Sequence, residues 1–261
     1  MRYARGSIQL SQAHDYPLLR QVLRSEFVLH RQLYEFLELS HYEWSRQSFA
    51  WRVRRLLRHG LLVAQHPAPF GGDLVYSVRP LVAQHLQANG ESCLFSVNRP
   101  RPNPVGCLHA IELNEIHLSL LRSGVQASWT YATEVRCQNE LSGFGYVKDY
   151  DAIVRLGSNG SETRFALEYE RTPKAAQYYE ELAKSLAQER LVRCVLYLIP
   201  SCHLLNYVSR HFSRSPGRAC FGLTRDWQSS PMDTPVTTPG SYAPTFLEFL
   251  RQHLSSADLS F

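Results

Sequence analysis

Along the first ninety residues, apolar positions recur at helical spacing in three places and then change period. Leu18, Leu19, Val22 and Leu23 share one face behind Asp15, which predicts a helix capped by that carboxylate. A second helix is predicted over 31–37, with Leu33, Phe36 and Leu37 inward. The third has the fullest set of signals. Ser45 is its N-cap, Phe49, Val53, Leu56 and Leu57 form its stripe, and Gly60 stands at C′. At 100° per residue, Gln47, Trp51, Arg54, Arg55 and Arg58 fall on the opposite face. Two strand-like runs, 61–63 and 74–78, flank a turn-rich His66–Asp73 and predict a hairpin, followed by a helix over 80–87.

The chain then loses its periodicity. Asn98–Pro104 carries three prolines in seven residues, so 97–106 is expected to be a stiff linker. Beyond it, 108–122 reads as a helix containing Glu112 and Glu115 and closed by Gly124. Strands are predicted at 129–136, 151–156 and 164–170, the last two joined by Gly157-Ser158-Asn159-Gly160. Thr172-Pro173 supplies N-cap and N1 for a helix running to about Gln188. An apolar strand over 193–199, a helix near 204–212 and a strand near 219–223 complete an α-β-β-β-α-β order. Residues 225–244 are expected to be a loop. Thr245 then caps an amphipathic helix of Phe246, Leu247, Phe249, Leu250 and Leu254. That apolar face suits packing on the core, or contact with a second copy or another protein.

The fold class is therefore α+β/α/β: an N-terminal unit over 1–96, a core over 107–224, and a loop with a helix over 225–261. Three helices followed by a hairpin is the order of a winged helix-turn-helix. Charge favours that reading. The net charge of +5 is concentrated in residues 1–95, which hold 11 basic and 7 acidic groups. Gln47, Trp51, Arg54, Arg55 and Arg58 are thus expected to meet double-stranded DNA, the arginines mainly at phosphates. A solvated helix face, or a winged helix used for protein contact, is the alternative.

Composition narrows the rest. No apolar run approaches the ~18 residues of a membrane span, and Met1–Gly6 leads into no apolar signal region, which predicts a cytoplasmic protein with no membrane partner. The six cysteines are scattered without a CxxC pair, so neither a zinc site nor a disulfide framework is expected. Of 28 basic residues only Lys148, Lys174 and Lys184 are lysine.

The acids carry the candidate chemistry. Period-two alternation puts Glu168 and Glu170 on one sheet face, and the hairpin brings Asp151 beside them. Carboxylates meeting at one point suit Mg²⁺ or Mn²⁺. Acids that merely solvate the outer face of a hairpin are the alternative. This order, with Asp151 followed by Glu168-Tyr169-Glu170, resembles the PD-(D/E)XK nuclease fold. More narrowly, 51–62, 109–115, 150–154 and 165–172, with the helix to Gln188, resemble the replication-relaxation family of plasmids and other mobile elements, over roughly residues 12–212. The resemblance implies Glu115 as the first-helix acid and Asp151 and Glu168 as ligands of Mg²⁺ or Mn²⁺. It also implies a DNA-processing role in replication or mobilisation of the element. Where such nucleases carry a lysine, this chain has Glu170. Glu170 could bind a second metal or act as a base, and Lys174 is the expected substitute for the missing cation. A transcriptional regulator or accessory factor with a catalytically dead core is the second function consistent with that departure.

Overall fold

The computed structural model describes residues 8–66, 72–89, 104–142, 145–157, 163–212, 217–239 and 243–255. The chain divides into two compact units, Met1–Asn114 and Glu115–Phe261. Among the described residues no helix is long and apolar enough to cross a membrane.

The first unit runs α1 (Asp15–Ser25), β1 (Val28–Leu29), α2 (His30–Leu39), α3 (Arg46–Arg58), β2 (Leu62–Gln65), β3 (Val75–Val78) and α4 (Pro80–Ala88). Of the predicted inward positions, Leu18, Leu19, Val22, Leu33, Phe36, Phe49, Val53 and Leu56 are buried, whereas Leu57 is half-buried. Ser45 caps α3 by accepting a hydrogen bond from Ser48 N–H, which satisfies one of the helix's orphan donors. Leu61 and its neighbours form the hairpin as expected, but a two-residue strand, β1, joins it, giving an antiparallel sheet of order β1-β3-β2. The hairpin tip 67–71 lies outside the described residues.

Two expectations change here. Asp15 opens α1 rather than capping it from outside, and its carboxylate accepts instead from Ser11 N–H at 2.7 Å. The expected linker is shorter, because α5 (Pro104–Arg122) already starts at Pro104; residues 97–103 lie outside the described ones. The first part of α5 belongs to this unit. Cys107 and Ile111 pack with Leu29 and Val75, Gln32 Nε2 donates to Ile111 O at 2.9 Å, and Asn114 Nδ2 donates to Phe27 O at 2.8 Å.

The second unit is a mixed α/β layer structure. Its elements are β4 (Ala127–Tyr131), α6 (Ala132–Leu141), β5 (Ala152–Leu156), β6 (Thr163–Tyr169), α7 (Ala176–Leu186), β7 (Val195–Ile199), α8 (Cys202–Ser209) with a 3-10 turn over Arg210–Phe212, and β8 (Ala219–Leu223). They are followed by α9 (Thr224–Ser229), β9 (Val236–Thr237) and α10 (Phe246–Ser255). The sheet order is β4-β5-β6-β7-β8-β9, parallel across β6-β7-β8 and antiparallel elsewhere. One face carries Ile153, Ala166, Tyr197 and Phe221 under Tyr179, Leu182, Val208 and Phe212. On the other, Phe165 meets Phe246, which in turn meets Trp227.

Three sequence expectations fail in this unit. The strand expected over 129–136 ends at Tyr131 and becomes α6. Thr133, Val135 and Cys137 are all buried and alternate like a strand, but Glu134 Oε2 accepts Tyr131 N–H at 2.9 Å and starts a helix. The α-β-β-β-α-β order thus gains an inserted helix. Thr172-Pro173 does not start α7, because Lys174 N–H donates to Tyr179 Oη and Lys174 O accepts from Tyr207 Oη, each at 3.0 Å. With both backbone groups taken by tyrosines, the helix begins at Ala176. The tail is not a plain loop: it supplies α9 and the edge strand β9. The apolar face of α10, with Phe246, Phe249 and Leu250 buried, lies on this unit's own sheet, as the packing alternative for that face expects.

Candidate functional site

In the first unit, α3 presents Gln47, Trp51, Arg54 and Arg58 to solvent as expected. Arg55 departs from that set. Its Nη2 is ion-paired with Asp15 Oδ2, its Nη1 donates to Gln9 O, and its side chain is half-buried. Its other partner is Trp51, 5.0 Å from the guanidinium. Arg52, one helix turn from the stripe, is buried between Asp15 and Glu43, 3.4 Å from each. These two arginines therefore hold α3 to α1, leaving Arg54 and Arg58 of the predicted set for an external anion.

In the second unit the acids gather where β5 begins and β6 ends. Ala152 pairs with Leu167, so continuing the register sets Asp151 across from Glu168, both on the face covered by α7. Asp151 Oδ2 accepts Tyr169 N–H at 2.8 Å. Glu170 follows β6 on the same side. Each glutamate has a lysine: Lys148 Nζ lies 2.6 Å from Glu168 Oε2, and Lys174 Nζ lies 2.9 Å from Glu170 Oε2.

Glu115 does not join the cluster through any of these bonds. Arg122 Nη1 holds its Oε1 at 2.8 Å, and the next residues of α5 pack on the sheet's other face, where His117 stacks on Trp129 at 4.2 Å.

What delivers Lys148 is a residue that sequence reasoning passed over. Glu189, buried just after α7, accepts Val147 N–H at 3.1 Å and Tyr150 Oη at 3.0 Å through Oε2, and Leu191 N–H at 2.7 Å through Oε1. Asn139 adds a second clamp, with Oδ1 accepting Tyr146 N–H at 2.7 Å and Nδ2 donating to Asp149 Oδ1 at 2.8 Å. Residues 146–150 are thus held from two sides, with Lys148 paired to Glu168. No spacing rule reveals Glu189, which is 42 residues from Val147.

Comparison with family models, with curated proteins and with solved structures finds no match.

Burial pushes the Glu168 carboxyl up from 4.5 to about 7, against the pull of Lys148 and with the Asp151 charge adding to the rise. Burial works against the charge on Lys148, but Glu168 outweighs it and raises the Lys148 pKa. The same contest at Lys174 is won by Glu170. Glu168 Oε1 is buried without a hydrogen-bond partner, as is Tyr197 Oη on the neighbouring strand, where Tyr197 sits in register with Glu168. A buried carboxylate oxygen and a buried hydroxyl without partners on adjacent strands call for a further polar group. Among the described residues no three His, Cys, Asp or Glu side chains are already arranged as a metal-holding set. The unpaired Glu168 Oε1 and the facing Asp151 nevertheless fit a hard cation such as Mg²⁺ or Mn²⁺, whose ligand sets are oxygen-rich and partly water.

Proposed function

We propose that this chain is a DNA-binding protein whose first unit is a winged helix-turn-helix and whose second is a PD-(D/E)XK-like nuclease core of the replication-relaxation type. The order α1-α2-α3-β2-β3 and the exposed Arg54 and Arg58 support DNA contact through α3.

The nuclease reading is carried by one observation: Lys148 Nζ lies 2.6 Å from Glu168 Oε2. Glu170 stands where a lysine is expected, and Lys148 brings a cation to the paired acid from another segment. It takes the role first given to Lys174, which is engaged with Glu170. In this reading Asp151 and Glu168 would hold Mg²⁺ or Mn²⁺. The chemistry such an ion supplies is Lewis-acid polarisation of a phosphodiester and activation of water. Lys148 steadies negative charge gathering beside Glu168, and Lys174 keeps Glu170 from adding an uncompensated anion.

A non-enzymatic regulator is the second reading, favoured by the neutralisation of both glutamates by lysines. Incubation with supercoiled plasmid and with short duplex and branched DNA separates the two. Metal-dependent nicking that is lost in Asp151→Ala/Glu168→Ala and strongly reduced in Lys148→Met supports the nuclease. Salt-sensitive binding without cleavage in either metal supports the regulator.

A further inference from the structure

Two of the four tryptophans, Trp44 and Trp51, stand 70% and 56% exposed. Each leaves most of an indole ring open to solvent. Each is backed on one ring face. His41 stacks on Trp44 at 5.2 Å and 21° between planes, and the Arg55 guanidinium covers Trp51 at 5.0 Å. Neither backing group is loose. Arg55 is anchored on fully buried Asp15. His41 sits in the left-handed turn that closes α2, its N–H donating to Glu38 O at 3.1 Å.

We propose that this surface binds unpaired DNA bases beside a duplex, with Trp44 and Trp51 each stacking on a base while Arg54 and Arg58 hold phosphates. The proposal rests on the DNA-binding reading above and names the kind of DNA. A paired base presents only its edge in a groove, so an open indole face finds a stacking partner only where bases are unpaired. Trp44 precedes the N-cap of α3 and Trp51 lies seven residues on, two helical turns or ~10 Å along the axis, which spans about three base steps. Charge chooses nucleic acid over a protein partner. The α3 helix carries Arg46, Arg52, Arg54, Arg55 and Arg58 and no acid, and Arg52 and Arg55 are ion-paired inside the unit while Arg54 and Arg58 are exposed.

The test measures binding of the full chain to oligo(dT), to a blunt duplex and to the same duplex with an unpaired oligo(dT) arm, following tryptophan emission and the anisotropy of labelled DNA. The forked DNA is expected to bind about tenfold or more tighter than the blunt duplex and to quench the emission. Trp44→Ala/Trp51→Ala, which circular dichroism should show folded because both rings are exposed, is expected to lose that preference, bringing the ratio of forked to blunt affinity to about one. Arg54→Ala/Arg58→Ala is expected to weaken all three DNAs by a similar factor. Equal affinity for forked and blunt DNA, or a preference that survives the tryptophan substitutions, overturns the proposal and leaves DNA binding standing. Failure of the wild-type chain to bind any of the three overturns both.

Discussion

Replacing Lys148 by Met tests the electrostatics of the acid cluster without touching its packing, since methionine keeps nearly the length of the lysine stem and drops the charge. In the folded chain Glu168 titrates at about 7 instead of 4.5, so its ionisation in place costs about 3 kcal/mol. The sign follows from proton counts. Between those two values the folded state holds a proton that the unfolded state has released, so this group's contribution to stability falls as pH rises to about 7 and is constant above it. Lys148 Nζ, 2.6 Å from Oε2, is the largest influence opposing protonation. Without it the folded carboxyl stays protonated past pH 7. The variant therefore loses stability relative to wild type as pH rises above 7, by at most about 1.4 kcal/mol for each pH unit. Below pH 7 this difference vanishes and only a hydrogen bond of about 1 kcal/mol is missing. Urea unfolding at several pH values, read through the emission of buried Trp227, measures it. A Lys148→Met penalty that is the same at pH 6 and pH 9 would refute the reasoning. So would a pH-dependent penalty that persists when Glu168→Gln is added.

Two further substitutions test the frame that holds the sites. Asp15→Asn removes the charge that Arg52 and Arg55 share in a buried setting, and is expected to destabilise the first unit by about 3–5 kcal/mol in chemical unfolding. A loss below about 1 kcal/mol would mean the network is solvated. Gly222→Ala would set a Cβ 2.9 Å from Thr234 Cγ2, and Thr234 cannot turn away because its Oγ1 donates to Ser230 O at 3.0 Å. The expected cost is about 1–3 kcal/mol, seen as a lower Tm, whereas an unchanged Tm would show that β9 shifts freely.

How much was legible in the sequence follows from the range of each interaction. The three helices of the first unit and the cap at Ser45 were readable because each is decided within a few residues. The fate of Arg55 was not: the helical period turns it outward, but Asp15, 40 residues away, draws it in. The strand β1 is two residues long and exists only because β3 pairs with it. Alternation rightly placed Glu168 and Glu170 on one face, yet the same alternation at Thr133, Val135 and Cys137 suggested a strand where Glu134 starts a helix. Among the three lysines, position alone pointed to Lys174 as the substitute cation. Finding Lys148 needed the path of 145–150, set by Glu189 from 39 to 42 residues away.

The choice of cation carries an argument that neither geometry nor spacing makes alone. This chain has 25 arginines and three lysines, a bias that a GC-rich coding sequence alone can produce. Its structural carboxylates follow the bias: Asp15, Glu43, Asp73, Glu115 and Asp149 are all met by arginine. Glu168 and Glu170 break it, and two of the three lysines lie on them. Arginine, planar and always charged, suits a permanent brace, whereas the compact ammonium of lysine sits beside an anion and responds to its neighbours. If these pairs were only braces, the ordinary cation of this chain would serve. The departure from arginine at this one sheet end is what a site selected for its chemistry would leave behind. It also makes Lys148→Arg informative: an arginine that preserves stability but abolishes the metal-dependent nicking proposed above separates a brace from a catalytic role.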